Sequence, residues 1–376
     1  MQFRILAEDS DTQARLGEFV TDHGVIRTPV FMPVGTSGTV KGITQDQLEA
    51  FGAEIILANT YHLYLRPGHE LVASLGGLHK FISWPRPILT DSGGYQVFSH
   101  ADLRRISEEG VTFRSHLDGS SHFLSPEISI NIQSHLGADI VMAFDECTPY
   151  PADLLIARDS MERTLRWAVR SKKAFDQFTG ERRHGHRQWL FGIGQGGIYP
   201  DLRCECVDRL IDIEFPGYAM GGLSVGEPKS ALYEMVEVST QRLPRSKPRY
   251  LMGVGTPLDL VECIAKGVDF FDCVLPTRNG RNGWLFTRSG HVVIKHARYA
   301  RDESPIDPTC RCPVCCRYSR AYLRHLFQAN EILAAVLNTF HNLYFYLDMV
   351  REIRDAIASK KYRDYLMEFK SRQETG

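Results

Sequence analysis

Four of the nine cysteines lie within seven positions, in the segment DPTCRCPVCCRYSR (307–320). A Cys-x-Cys-x-x-Cys spacing places three thiolates on one tight loop, which is typical of tetrahedral Zn2+. Because Cys316 directly follows Cys315, both could bind one metal only with a strained backbone, so His325 and His341 are the alternatives for a fourth ligand. Four protein ligands leave no position for a reactive water, so the spacing predicts a structural metal site.

Two carboxylates have a sequence context that suits glycosyl transfer. Asp91 opens DSGGYQVF, where two glycines give a substrate close access to the acid. Asp272 ends an apolar run in DFFDCVLPTRNGRNG. Such a pair can divide the work at an anomeric carbon between a nucleophile and a proton donor to the leaving group. The alternatives are a turn or helix cap for Asp91 and an ion pair with Arg278 or Arg281 for Asp272.

Further polar residues could read a nucleobase. FDECTPY contributes Asp145, GIGQGG contributes Gln195, and Tyr95 offers a ring on which a base can stack. GIGQGG also matches the G-x-G-x-x-G pattern of dinucleotide-binding folds, with Asp212 and Glu214 about 20 residues on. Its first two glycines fall inside a predicted strand rather than in the turn, so we prefer base reading to a nicotinamide-dependent oxidoreductase.

The elements that must position these residues follow one repeated pattern. Near-continuous apolar runs, typical of strands covered on both faces, alternate with amphipathic segments at 126–136, 153–178, 201–212, 229–242 and 257–266. The junctions FGAEI, LGADI and KGVDF each place a glycine, a small residue and an acid before a run. There are eight runs, at 28–34, 54–59, 87–91, 138–146, 189–197, 217–223, 249–255 and 268–276.

Eight such units predict an α/β fold, specifically a (β/α)8 TIM barrel. The chemistry of this fold lies at the carboxyl ends of the strands, so the residues that end the runs should meet at one mouth. These residues are Asn59, Asp91, Asp145, Gln195, Gly222, Gly253 and Asp272.

Charge is distributed unevenly along the 376 residues. The net charge is −1, but the segment 273–330 carries ten Lys and Arg against three acids, a net of +7. A basic segment that also holds aromatic residues such as Trp284 and Tyr318 suits RNA, although charge alone fits a solvated surface equally well.

Composition also limits the classes of protein. No run approaches the roughly 18 apolar residues of a membrane span, and the N-terminal residues lack the apolar core of a signal peptide. We therefore expect a cytoplasmic protein with reduced cysteines and no membrane contact.

Ten motifs in order along the chain carry a resemblance to a known family. They are TPVFMPVGT, ANTYHLYLRPG, DSGGYQVFS, FDECTPYP, GIGQGG, GGLSVGEP, LMGVGTP, DCVLPTRNGRNG, CRCPVCCRYSRAYLRHL and HNLYFYLDMVREIR. On these motifs the chain resembles the bacterial queuine tRNA-ribosyltransferases, also called tRNA-guanine transglycosylases. The resemblance implies a zinc-containing barrel that exchanges guanine at the wobble position of tRNA for a 7-deazaguanine base, without a nucleotide cofactor.

The resemblance also implies roles for individual residues. Asp272 matches the nucleophile that attacks C1′ of the ribose, and Asp91 matches the general acid and base. The base-binding positions, with Tyr95 and Met252 on either side of the base, are Ser92, Gly93, Gly94, Tyr95, Asp145, Gln195, Gly222, Leu223 and Met252. The RNA-contacting positions are Gly253, Val254, Gly255, Thr256, Pro257, Leu258, Asp259, Thr277, Arg278, Asn279, Gly280 and Arg281. The zinc ligands are Cys310, Cys312, Cys315 and His341, which selects His341 over His325 and leaves Cys316 unused.

The family pattern sets further expectations. Residues 1–272 should form most of the barrel, 273–345 a basic zinc-binding subdomain, and 346–376 a helical part that closes the barrel. We expect one structural Zn2+ per subunit, a homodimer, and the tRNA anticodon loop as partner. Ser224 departs from the Ala of the bacterial pattern, so preQ1 is the default incoming base and queuine the alternative. A non-catalytic tRNA-binding subunit is a further alternative, which the presence of both Asp91 and Asp272 argues against.

Overall fold

The structure is a computed structural model that describes residues 2–99, 104–178 and 183–374. These residues form sixteen strands: β1 (Phe3–Glu8), β2 (Arg15–Thr21), β3 (Gly24–Thr28), β4 (Val30–Gly35), β5 (Ile56–Ala58), β6 (Ile88–Thr90), β7 (Arg105–Ile106), β8 (Val111–Arg114), β9 (Ser121–Leu124), β10 (Ile140–Met142), β11 (Trp189–Gly194), β12 (Gly217–Met220), β13 (Arg249–Leu251), β14 (Phe270–Cys273), β15 (Trp284–Thr287) and β16 (Gly290–Val293).

The same residues form fifteen α-helices and a 3₁₀ turn at Ala297–Tyr299. The helices are α1 (Gln45–Ala50), α2 (Thr60–Leu65), α3 (His69–Ser74), α4 (Gly77–Phe81), α5 (Gly94–Ser99), α6 (Pro126–Leu136), α7 (Leu154–Phe178), α8 (Pro200–Ile211), α9 (Lys229–Arg242), α10 (Pro257–Ala265), α11 (Leu275–Arg281), α12 (Pro313–Arg317), α13 (Arg320–Gln328), α14 (Ile332–Ala358) and α15 (Tyr362–Glu374). None of the described helices is long and apolar enough to cross a membrane.

Eight parallel strands close into a barrel in the order β4, β5, β6, β10, β11, β12, β13 and β14, with β14 pairing back to β4. Each predicted apolar run contains one of these strands, and the predicted helical segments correspond to α6 to α10. The (β/α)8 prediction is therefore confirmed. The interior is filled by buried side chains that include Met32, Leu89, Met142, Phe191 and Phe270.

An antiparallel sheet of β1, β2 and β3 covers the amino-terminal end of the barrel, and the sequence pattern did not predict it. Phe19 of β2 is fully buried, and its ring contacts Trp189, Phe191 and Phe270 edge to face, with centroids 6.0, 5.6 and 6.4 Å away. Such contacts add to the burial of the rings, so this sheet closes the base of the barrel.

The acids of the three repeated junctions hold this sheet in place. The side chain of Asp269 accepts from the Arg15 guanidinium at 2.6 Å, and that of Glu54 accepts from the Arg27 backbone amide at 2.6 Å. A carboxylate oxygen of Asp139 lies 2.8 Å from His23 Nδ1. Burial opposes ionisation of Asp139, but hydrogen bonds with His23 and His79 outweigh it and hold the pKa of Asp139 well below its usual range. The acids that precede these three barrel strands therefore also anchor the sheet.

After β14 the chain forms α11, the hairpin β15–β16, α12 and α13 before α14 returns to the barrel and contacts β4. This part has its own small core, which includes Leu285, Ile294 and Leu323. Helices α11 and α14 approach closely, because a Cβ at Gly280 would lie 2.8 Å from the Cα of Thr339. The boundaries at 272/273 and 345/346 stay predictions.

Candidate active site

A cavity of about 430 Å3 opens at the carboxyl ends of the barrel strands. It is lined by Asp91, Asp145 and Asp272, together with the predicted stacking residues Tyr95 and Met252. Residues at or just after the carboxyl ends of seven barrel strands thus meet at one mouth, where the chemistry of this fold is found. Further lining residues include Asn59, Ser92, Gly93, Gly222, Leu223, Ser224, Gly253 and Arg278.

Asp272 is the third residue of β14, and its side chain is bonded through one oxygen only. Oδ1 accepts from the Tyr250 hydroxyl at 2.6 Å and from the Gly253 backbone amide at 2.8 Å. No described residue donates a hydrogen bond to Oδ2. Burial raises the pKa of Asp272 to about 6, and the charge of Asp91 adds to this, while the two hydrogen bonds oppose it. The group is therefore a carboxylate with one free oxygen at neutral pH.

Asp91 follows β6 and is surrounded by donors. Oδ2 accepts from Asn59 Nδ2 at 2.5 Å and Gln96 Nε2 at 2.7 Å, and Oδ1 accepts from the Thr60 amide at 2.8 Å. Burial nevertheless raises the pKa of Asp91 above its usual range. A raised pKa and a fixed position suit a carboxyl that gives and takes a proton.

Asp145 follows β10 and is paired with an amide. Oδ2 accepts from Gln195 Nε2 at 2.7 Å and Oδ1 from the Ser92 hydroxyl at 3.1 Å, and burial raises the pKa of Asp145 to about 6. Gln195 Oε1 is buried and accepts no hydrogen bond from the described residues. Gln195 itself lies behind the cavity wall formed by Gly222, where a Cβ would come within 2.2 Å of Oε1.

The glycines of DSGGYQVF allow this packing. A Cβ at Gly94 would lie 2.8 Å from the Asp145 carbonyl oxygen, and Gly93 has a φ of +81°, which favours glycine. Tyr95, at the start of α5, is 53% exposed and so presents an open ring at the mouth. The small residue at Gly94 therefore keeps Asp145 close to the cavity beside Tyr95.

Several functional neighbours were not predicted from the sequence. Tyr250 donates a hydrogen bond to Asp272, and Thr60 and Gln96 donate to Asp91. Nothing in the sequence spacing of these three residues distinguishes them. Tyr250 was detectable in principle, because alternate residues of a strand share a face and Met252 lies two positions on.

Both predicted RNA-contacting stretches reach the cavity, through Gly253 in the first and Arg278 in the second. In the first stretch Gly253 is exposed, whereas Asp259 is 1% exposed and caps α10 by accepting from the Thr256 amide at 2.8 Å. In the second stretch Arg278 is exposed beside the cavity, and Arg281 Nη1 is buried without an acceptor among the described residues.

Part of the basic segment is neutralised inside the fold. Arg288 forms ion pairs with Asp348 and Glu352, and Arg320 pairs with Asp302 at 3.0 Å. These arginines stabilise the subdomain instead of facing a polyanion. The exposed cations that remain are Arg278, Lys295, Arg298, Arg301, Arg311 and Arg317.

The cysteine cluster fits a metal ion. The ligand atoms of Cys310, Cys312, Cys315 and His341 all lie within 4.8 Å of one another, close to the roughly 4 Å separations that Zn–S bonds of about 2.3 Å produce in a tetrahedron. His341 Nε2 lies 2.7 Å from the Phe286 carbonyl oxygen, which leaves Nδ1 for the ion. The cluster can therefore hold a metal ion, and Cys316 is exposed and outside it.

A second group, His23, His79 and His186, is also compact. The rings of His23 and His79 are stacked with centroids 3.6 Å apart and an interplanar angle of 13°. Lone pairs in two parallel rings do not converge on one point, so we assign His23 and His79 to the anchoring of Asp139 rather than to a metal.

Comparison with known proteins gives consistent results. The family model described as Queuine tRNA-ribosyltransferase matches residues 9–375. Proteins named queuine tRNA-ribosyltransferase from Caldanaerobacter subterraneus, Koribacter versatilis and Halothermothrix orenii are 58%, 57% and 56% identical to this chain. The alignments cover 98%, 95% and 98% of this chain and 96%, 94% and 96% of those proteins.

Proposed function

Because this chain belongs to the queuine tRNA-ribosyltransferase family and is therefore a pentosyltransferase, we propose that it exchanges guanine at the wobble nucleotide of tRNA for a 7-deazaguanine base. The observation that carries this proposal is the pair of carboxyls at the barrel mouth. Asp272 offers one free oxygen, and Asp91 is held by donors with a raised pKa. The two groups have the different roles that a two-step glycosyl transfer needs.

In the first half-reaction, ionised Oδ2 of Asp272 attacks C1′ of the wobble ribose, and the bond from C1′ to N9 of guanine breaks. The electron pair of that bond leaves with guanine, which takes a proton from Asp91. The product is a covalent ester between the ribose and Asp272. Burial of both acids strengthens the interactions with developing charge, because little water screens them.

In the second half-reaction, Asp91 takes the proton from N9 of the incoming base. N9 then attacks C1′, the ester bond to Asp272 breaks, and the carboxylate is restored. One glycosidic bond replaces another, so the exchange needs no nucleotide cofactor and follows ping-pong kinetics.

Base recognition falls to Asp145, Gln195 and the backbone at Gly222 and Leu223. A carboxylate and an amide oxygen suit the donors on the guanine edge, which 7-deazaguanines share. A single-stranded anticodon loop can turn its base out toward Tyr95 at modest cost. The exposed Arg278 at the mouth is available to the phosphates.

The remaining family properties are part of the same proposal. The cysteine and histidine set is assigned to one structural Zn2+ per subunit, because three thiolates and an imidazole are the donors that this ion prefers. The ion would supply no chemistry at C1′ and would fix the loop of the cysteines against α14. We further propose preQ1 as the incoming base, a homodimer as the assembly, and the cytoplasm as the site of the reaction.

The experiment that tests the function is capture of the covalent intermediate. Wild-type protein, incubated with substrate tRNA and a guanine analogue, should give an adduct that survives denaturing electrophoresis, and Asp272→Asn should give none while still binding tRNA. Exchange of radiolabelled guanine into defined tRNAs provides the matching activity assay. A wild-type protein that forms no adduct and exchanges no base would favour a non-catalytic tRNA-binding subunit. Binding of NAD would instead support an oxidoreductase.

A further inference from the structure

The Arg203 guanidinium, on α8, is 1% exposed, and its acceptors among the described residues are all backbone carbonyls. Nε donates to the Gly197 oxygen at 2.9 Å, and Nη1 donates to those of Gly221 at 2.8 Å and Gly194 at 3.2 Å. Nη2 lies 3.4 Å from the Gly222 oxygen. Arg203 therefore connects the turn after β11 to the segment after β12.

This cation has no ion-pairing carboxylate among the described residues. Burial lowers the pKa of Arg203 to about 10, so the group still carries its charge at neutral pH. A buried charge without a counterion is costly unless its hydrogen bonds are complete. Four carbonyl oxygens accept from four of its five N–H groups, so the packing of α8 depends on the two turns keeping their positions.

An anion holds the other end of the same segment. The Glu227 carboxylate accepts from the Ser224 amide at 2.5 Å and from the Val225 amide at 2.9 Å. In the segment 221–225, the first two carbonyls thus accept hydrogen bonds from Arg203, and the last two amides donate hydrogen bonds to Glu227. Gly222 and Ser224 both have left-handed backbones, with φ of +65° and +61°, which this pair of charges holds in place.

The two turns that Arg203 connects carry the groups assigned to the base. Gln195 lies between Gly194 and Gly197, and Gly222 and Leu223 line the cavity. Gln195 also packs directly against Gly221 and Gly222, where a Cβ would lie 2.6 and 2.2 Å from its amide atoms. A shift of one turn relative to the other would therefore separate the amide of Gln195 from the backbone that faces the same base.

We propose that Arg203 is a positioning residue for base recognition, which fixes the Gln195 turn relative to the 221–225 segment without touching the base. This inference rests on the proposed function, because the ligand in question is the guanine-like base. It predicts that the affinity for the base depends on Arg203 although the residue is outside the cavity.

The test compares Arg203→Met, Arg203→Lys and the control Arg209→Met. Arg209 lies six residues further along the same helix, is exposed, and pairs with Glu162. We expect the Kd and the KM for guanine to rise about tenfold or more in Arg203→Met, from the loss of charge-assisted hydrogen bonds. Arg203→Lys, which keeps the charge but not the fork of donors, should fall between Arg203→Met and the wild type. The Kd for tRNA should stay within about twofold, and Arg209→Met should match the wild type.

Hydrogen exchange of the 221–225 amides gives a readout independent of activity, and it should become faster in Arg203→Lys. Folded Arg203 variants with wild-type affinity for guanine and unchanged exchange in this segment would overturn the proposal. So would a loss of activity that follows only the unfolded fraction while the remaining protein keeps its affinity for guanine. If wild-type protein neither binds guanine nor exchanges bases, the proposed function fails. The hydrogen-exchange comparison still decides whether Arg203 fixes the 221–225 segment.

Discussion

The Tyr250 hydroxyl donates a 2.6 Å hydrogen bond to Asp272 Oδ1, the same oxygen that accepts from the Gly253 amide. Both donors stabilise the charged carboxylate, and both leave Oδ2 free. The side chain of a neighbouring strand thus determines which oxygen of Asp272 is free for the proposed attack, and it opposes the rise in the pKa of Asp272.

Tyr250→Phe should shift the acidic limb of the activity profile. Removing a donor to the carboxylate raises the pKa of Asp272 further above about 6, so the ionised nucleophile appears only at higher pH. We expect the limb of kcat/KM for tRNA to move up by about half a unit to one unit, with a lower kcat at pH 6. Profiles between pH 5 and 8 measure this. Tyr218→Phe, a buried tyrosine on β12 outside the cavity, is the control. An unmoved limb in Tyr250→Phe would refute the assigned role.

The buried acids should cost stability at neutral pH. Asp272 and Asp145 each have a pKa raised from 3.8 to about 6, so the folded state holds protons that the unfolded state releases. Relative to neutral pH, the protonated forms of these acids make the folded state more stable. This stabilisation is complete below about pH 4 and is lost as the pH rises through about 6. Asp272→Asn should therefore stabilise the protein at pH 8, by up to about 3 kcal/mol, and by much less at pH 4. Urea unfolding at the two pH values tests this, and an equal effect at both would contradict the burial argument.

The barrel and the meeting of Asp91 and Asp272 at its mouth were predictable, because buried parallel strands are apolar runs and their carboxyl ends meet at one mouth. Asp91 and Asp272 were found in this way, and the family motifs assigned them separate roles. The sheet β1–β3 was not predicted, since one of its faces is polar and the strand Phe3–Glu8 carries charges that mask alternation.

Contacts between distant residues were beyond the sequence pattern. The pair of Arg15 and Asp269 joins positions 254 apart, and no local spacing specifies it. The same holds for Arg203, which reads as one more polar residue of an amphipathic helix. Its function depends on two turns that only the closed barrel brings together.

The metal cluster predicts opposite outcomes for two cysteines six positions apart. Cys310→Ser should lower the metal content from about one ion per chain toward none and lower the Tm, because metal binding contributes to the folding of the subdomain. Cys316→Ser should keep both at wild-type values, since Cys316 is exposed and outside the cluster. Elemental analysis and thermal unfolding give the two readouts. Equal metal loss in both variants would mean that Cys316 is a ligand.

Ser224 should have little effect on the choice of base. Its backbone amide, not its hydroxyl, bonds Glu227, so Ser224→Ala keeps the contact that holds the segment. We expect preQ1 to have a higher kcat/KM than queuine in both the wild type and Ser224→Ala. The preference for preQ1 should differ between the two proteins by less than about threefold. Parallel assays with preQ1 and queuine on guanine-containing tRNA measure the preference. Equal or greater kcat/KM for queuine would reject the preQ1 assignment.

Among these variants, the largest loss of stability should follow from breaking the ion pair between Arg15 and Asp269 at the amino-terminal end of the barrel. The Arg15 and Asp269 side chains are only 3% and 0% exposed and bond at 2.6 Å. Asp269→Asn leaves a buried guanidinium without its counterion, which should lower the free energy of unfolding by about 3 to 5 kcal/mol. Glu18→Gln is the control, because Glu18 pairs with the 68% exposed Arg4 and such pairs contribute less than about 1 kcal/mol. Urea unfolding of both variants at pH 7.5 measures the difference. Since Asp269 lies at the end of the barrel opposite the catalytic mouth, folded Asp269→Asn should keep the wild-type kcat/KM. A comparable loss of stability in both variants would show that burial of the pair is not what holds the sheet.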